Sequence, residues 1–393
     1  MSKLTRCAVI AAALSMPLAA HADWSIVGLG TLGAEISAAT SINEHGQITG
    51  YTISQLGRHY DVFITDVDGA NMRLLDTPDP AAYPIVLPQF INNSGQIAGY
   101  YYNQAREIVA FYTGKNGEDI KNVEIPALST AHGINDHGQI AVNSRGEAFI
   151  VDSIDGTTTD LGSLKGLTTT AISINNSGQV TGYSEVKSKP PFSSERTEVH
   201  AFITEKDGAG MKDIGTLGGE NSIGLDVNNK GQVAGASNVR GWLHMNAFVT
   251  DENGDMINLG TFGGHDSIAN SINDHGEVIG SSFTGNGSNE DIHSFLYSHG
   301  GITDLSILDV VLNAGWTFLD AMDINNHGQI VGQGTLNGIT QGFLLSYTSD
   351  TKFNPEPIFI PTSPIPEPTT WAMLLAGLGL LGFIARRKDI EYK

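Results

Sequence analysis

A sevenfold internal repeat constrains this chain more than any other feature. The phrase first reads Ile42-Asn43-Glu44-His45-Gly46-Gln47-Ile48, and it returns with small variations around Gly95, Gly138, Gly178, Gly231, Gly276 and Gly328. Successive glycines lie 40 to 53 residues apart. That period suits propeller blades and also helical pairs of the HEAT type. Helical repeats need apolar residues at spacings of three and four. Here the apolar residues alternate and are interrupted by Gly and Asn, so strands are expected. Within the phrase, Asn can start a turn by bonding backbone two residues on, and Gly supplies the left-handed residue of a bulged type I turn. The branched residues on either side then face a core.

Each phrase leads into a second hairpin carrying one phenylalanine: Phe63, Phe111, Phe149, Phe202, Phe248, Phe295 or Phe343. A second glycine follows the first by four residues in six repeats, and Val142 takes its place in the third. An acidic turn and a strand ending in Leu-Gly complete most repeats. Four short strands, seven times over, predict an all-β fold, a seven-bladed β-propeller of four-stranded antiparallel blades. The last repeat lacks a fourth strand. The segment Trp24–Gly33 matches the phrase around Ile214–Gly218 and is expected to complete that blade, closing the ring and removing its edges. An open β-solenoid is the structural alternative.

The two ends read as addresses. Residues 1–22 have Lys3 and Arg6, an apolar stretch from Cys7 to Leu18, then Ala20-His21-Ala22. This is the layout of a signal peptide cleaved after Ala22. Its Cys7 is the chain's one cysteine, so residues 23–350, the propeller, are expected to have neither disulfides nor thiolate metal sites. A Pro-rich linker over 351–363 leads into a terminal segment, 364–393. There Pro366-Glu367-Pro368 precedes an apolar run from Trp371 to Ala385, then Arg386-Arg387-Lys388. Such a run makes a short transmembrane helix of roughly 22 Å, against a hydrocarbon core of about 30 Å. The basic cluster is expected to stay cytoplasmic.

This order of parts resembles the PEP-CTERM sorting signal. The resemblance implies processing by an exosortase, with the helix transiently anchored in the inner membrane. The final location would be the outer surface or extracellular matrix of a Gram-negative bacterium that makes exopolysaccharide. The phrases His200-Ala201-Phe202 and Gly215–Gly219, with the Asn-Gly hairpins, resemble the HAF repeat of extracellular bacterial proteins over roughly residues 28–346. That resemblance implies secretion and a repeat scaffold, and no reaction.

With 42 acidic against 21 basic residues the net charge is −21, which argues against a nucleic-acid partner. No nucleophile elbow, phosphate loop or zinc-binding His pair occurs, and no catalytic residue is singled out. His45, His137, His275 and His327 occupy one place in four different turns, spread around the ring, and are expected to be exposed. No cofactor is expected. Asp66 and Asp68, or Asp251 and Asn253, are weak Ca2+ candidates because they alternate oxygen ligands, but neither turn completes a calcium loop.

The regular turns should share one face and the variable loops the other, where a rigid scaffold carries binding. The candidate ligand loops contain Lys187, Lys189, Phe192 and Arg196, then Arg240 and Trp242. The expected function is an exported, sorted, non-enzymatic protein of the surface or exopolysaccharide matrix. A glycan-binding propeller is the alternative, and a polysaccharide-cleaving enzyme with acids in its channel a third.

Overall fold

Alternation of small, branched and polar residues on either side of each Asn-Gly turn produces the hairpins from which the molecule is built. The computed structural model describes residues 23–348 except 55–58, 77–85, 104, 126–127, 166–167, 189–195, 242–243 and 286–290. Seven four-stranded sheets form. Their first, channel-side strands are Ile36–Ile42, Val86–Ile91, Ser129–Ile134, Thr169–Ile174, Gly218–Val227, Gly263–Ile272 and Trp316–Ile324, defining blades 1 to 7. Blade 4 continues with Val180–Ser188, Arg196–Thr204 and Met211–Gly215, and blade 5 with Val233–Val239, Met245–Thr250 and Met256–Gly260. Neighbouring strands are antiparallel throughout.

The ring closes as the sequence predicts. Asp23–Gly30 pairs with Ile339–Thr348, from Asp23 opposite Thr348 to Gly30 opposite Gly342, and so becomes the outer strand of blade 7. A solenoid would leave both edges open. The apolar clusters sit between blades rather than within them. Val62, Ile64 and Leu75 of blade 1 pack with Ile91, Ile97 and Phe111 of blade 2, and the last seam joins Val331 and Leu344 to Ile48 and Phe63.

The seven turn glycines all adopt positive φ, from +70° to +80°. The second glycine serves a different purpose. Gly50, Gly99, Gly182, Gly235, Gly280 and Gly332 stand directly across the sheet from the blade phenylalanine. At Gly280 a Cβ would lie 2.0 Å from the Ile268 carbonyl and 2.8 Å from the Phe295 ring. Six phenylalanines fill that space and are buried. In blade 3, Val142 occupies the place, and Phe149 opposite it is half-buried.

Candidate functional site

Two hydrogen-bonded rings close the turn face around the channel. Asn43, Asn92, Asn135, Asn175, Asn228, Asn273 and Asn325 are all buried. Each Oδ1 accepts backbone N–H groups two and four residues on, as Asn228 does from Lys230 at 3.1 Å and Gln232 at 2.9 Å. Each Nδ2 also donates to the carbonyl of the same asparagine in the next blade at 2.8–3.2 Å, and Asn325 returns to Asn43. Turn chemistry alone accounts for the first pair of bonds. The bond to the next blade needs an amide NH2, and the persistence of Asn in all seven copies, where a turn would accept Asp, was the signal for it. The following residues form a second ring. The backbone N–H of each donates to the side chain of its counterpart in the next blade, from Glu44 to Asn93 around to Asn326 and Glu44.

The rings surround a cavity of about 150 Å³ lined by all seven phrases. Its wall carries an alternating chain over blades 4, 5, 6, 7 and 1: Ser173, Asp226, Ser271, Asp323 and Ser41. Asp226 accepts Ser173 Oγ at 2.7 Å, and the Val227 and Ile272 N–H groups. Asp323 accepts Ser41 Oγ at 2.7 Å, and the Ile42 and Ile324 N–H groups. Ser271 Oγ lies 3.0 Å from Asp226 and 2.7 Å from Asp323. One hydroxyl hydrogen cannot serve both carboxylates, so Ser271 bonds both only when one of the two acids is protonated. Burial, and then the Asp226 charge, push Asp323 up to about 7; burial raises Asp226 as well.

The rim acids differ. Burial opposes ionisation of Asp274, but amides from Asn229 and Asn326 outweigh it and hold the carboxyl below its ordinary value. Asp136 accepts the amides of Asn93 and Asn176. Burial raises Glu44.

On the variable face, the hairpins of blade 4 and the ten-residue first strands of blades 5 and 6 extend furthest. Lys187 and Arg240 are exposed there. Arg196 is not an unpaired cation: it contacts Glu198 at 2.8 Å and also Glu220. Lys189, Phe192 and Trp242 lie outside the described residues, as do Ala20, Ala22, Pro366, Glu367, Pro368, Arg386, Arg387 and Lys388.

The acids among the weak calcium candidates each engage at least one oxygen, within a turn for Asp66 and Asp251 and across the blade seam for Asp68. Asp66 takes the Asn71 amide and Asp68 the Gln329 amide, each at 2.9 Å. Asp251 accepts the N–H groups of Asn253 and Asp255, which lowers its pKa. The four turn histidines are exposed.

Residues 364–388 match the PEP-CTERM protein-sorting motif. The motif implies processing by an exosortase, export and sorting to the cell surface. No curated protein matches the sequence significantly. Among solved structures the chain is similar to the β-propeller domain of the Trilobed protease from Pyrococcus furiosus, which has an open velcro topology. Identity is 10%, coverage 83% of this chain and 99% of that one, and the TM-score 0.51. An oligogalacturonate lyase in complex with manganese is 11% identical, with 82% and 93% coverage and a TM-score of 0.53. These likenesses bear out the fold, an all-β propeller whose seven blades are seen here; export and sorting by an exosortase rest on the motif alone. The likenesses come from enzymes and say nothing of whether this chain is one.

Proposed function

We propose that the protein is a non-enzymatic propeller of the cell surface or exopolysaccharide matrix that holds saccharide on its variable face. The observation that carries this reading is the state of the channel acids. Asp226 and Asp323 have each oxygen within hydrogen-bond distance of a backbone N–H and a serine hydroxyl, the Ser271 hydroxyl lying between the two acids. With their oxygens engaged in this chain, the two carboxyl groups offer no free lone pair for a nucleophilic or general-base step. The extended strands of blades 4–6 favour binding on the opposite face, beside Lys187 and Arg240. Lys189, Phe192 and Trp242 belong to the same stretches of sequence.

The HAF-like phrases and the signal peptide fit the same reading. The test is co-sedimentation of the protein with the producing cell's own exopolysaccharide, run beside an assay for newly released chain ends. Retention in the pellet without new ends is expected. Steady release of ends would make the protein an enzyme and overturn the proposal, and failure to sediment with any secreted polysaccharide would remove the saccharide.

A further inference from the structure

The seam between blades 5 and 6 carries a feature with no equivalent in the repeat. On the first strand of blade 6, Gly263 pairs with Thr284 and Ser267 with Ser282, so Gly264, His265 and Asp266 face the single residue Phe283. This bulge requires its glycines. Gly263 has φ +99°, and a Cβ on Gly264 would lie 2.5 Å from the Phe283 Cβ. The bulge brings His265 and Asp266 against His244, which enters the third strand of blade 5. The two imidazoles stack at 4.8 Å, 6° from parallel. Nδ1 of His265 lies 3.0 Å, and Nδ1 of His244 3.5 Å, from the same oxygen, Asp266 Oδ2. Ligand atoms from all three lie within 4.8 Å of one another. Asp266 Oδ1 is fixed by the Met245 N–H at 2.7 Å, and Phe283 stacks edge-on against His265.

The preceding seam is a built-in comparison. Blade 5 has the same bulge, with Gly219, Glu220 and Asn221 facing Asn238. Asn221 Oδ1 accepts the Val199 N–H at 3.0 Å, which is the anchor Asp266 makes to Met245 one blade on. A neutral amide therefore suffices for the anchor, and the second oxygen of Asp266 is surplus to it. Counting along the repeat, Glu198 and Glu220 correspond to His244 and His265. At the first seam a cation, Arg196, lies between the two glutamates. At the second the equivalent positions present two imidazoles around a carboxylate oxygen.

We propose that His244, His265 and Asp266 form a site for a divalent transition-metal ion of the Zn2+ class, held where the guanidinium sits at the sister seam. Bonds of about 2.0–2.2 Å to imidazole and carboxylate put neighbouring donor atoms roughly 3.0–3.5 Å apart, as the two Nδ1–Oδ2 distances are. Two imidazoles and one carboxylate suit Zn2+ and its neighbours better than Ca2+ or Mg2+. The Met245 N–H supplies the outer contact that orients a ligating carboxylate. Three protein ligands leave at least one position open, on the face where saccharide is proposed to bind, although the metal site stands whether or not that proposal does.

The test is calorimetric titration of ZnCl2 into the full chain after chelator treatment. Saturable binding of one ion per chain is expected. Asp266→Asn keeps the anchor that Asn221 uses, so it should melt as wild type does without metal yet bind Zn2+ at least about tenfold more weakly. His244→Gln, at a half-exposed loop position, should do the same and serves if the first variant misfolds. His45→Gln, in an exposed turn, should change nothing. No saturable binding, wild-type affinity in both site variants, or loss of the ion in His45→Gln would each overturn the proposal.

Discussion

Replacing Asn228 by Ala should destabilise the whole propeller, because that side chain belongs to two structures at once. It is buried, and it donates to Gln232 Oε1 at 3.0 Å and to the Asn273 carbonyl at 2.9 Å, while accepting two backbone N–H groups. The Gln232 side chain is half-exposed and can turn to water. The Gln232 N–H cannot, whereas the Asn273 carbonyl loses its bond from the neighbouring blade but keeps the Gly276 N–H at 3.0 Å. One stranded buried donor puts the loss at about 1–3 kcal/mol, with the lost interblade bond placing it in the upper half of that range.

Asn228→Asp separates the two roles. It keeps the turn bonds, but at neutral pH it sets a carboxylate oxygen against the Asn273 carbonyl and Gln232 Oε1. The penalty should equal or exceed that of Ala at pH 7 and shrink in acid, where the protonated acid can donate again. Asn229→Ala is the control: it is the adjacent residue, it is exposed, and its partners Asn176 and Asp274 can take water instead. Its cost should stay near 1 kcal/mol. Urea titrations followed by tryptophan fluorescence give all three values. A loss below about 1 kcal/mol for Asn228→Ala, or an Asp variant insensitive to pH, would refute the ring as a load shared between blades.

Three further outcomes are expected. Deleting residues 23–33 strips the outer strand from blade 7 and bares Ile339–Thr348 as an edge, so the melting transition should fall and aggregation rise; an unchanged melt would mean that the ring does not depend on its closure. Asp323 and Asp226 have folded pKa values raised above their unfolded ones, so their contribution is fully present below about pH 4 and fades as pH climbs to about 7; Asp226→Asn, which removes the charge opposing Asp323, should at least halve the change in urea midpoint between pH 5 and pH 8, and an unaltered slope would dismiss a protonated acid in the chain. Gly280→Ala drives a methyl to 2.0 Å from the Ile268 carbonyl and should cost about 3 kcal/mol or more, measurable by calorimetry, a small loss meaning that the strands can separate there.

How much of this was legible in the sequence depended on how locally each feature is determined. The Asn-Gly turns and the completion of blade 7 by Trp24–Gly33 were readable because turn chemistry and alternation act over a few residues. The Ser173–Asp226–Ser271–Asp323–Ser41 chain was not. Its members are 45 to 282 positions apart in the bonds that join them; only the closed ring makes them neighbours. The placing of Lys187, Lys189 and Arg196 in a candidate ligand loop holds no information about Glu220, whose approach to Arg196 depends on a bulge that Gly218 and Gly219 build. The five-residue helix Asp309–Asn313 before blade 7 also escaped notice. It is too short to show a helical period.

In a ring of copies, sameness and difference carry separate kinds of information. An asparagine present seven times is accounted for by a bond each blade must make to the next, so its repetition says nothing about what the protein binds. A departure has no such explanation. Ile36, Asn221 and Asp266 occupy one repeat position, and the fold accepts an aliphatic side chain, an amide and an acid there. The sister-seam anchor is served by the amide, so the anchor does not need the charge of Asp266, whose second oxygen faces His244 and His265 instead. Removing that charge should therefore leave stability nearly unchanged while altering what the blade 5–6 seam can hold. In a molecule whose repeated residues are committed to its own assembly, the departures from the repeat are the places where selection for a ligand could act without dismantling the ring.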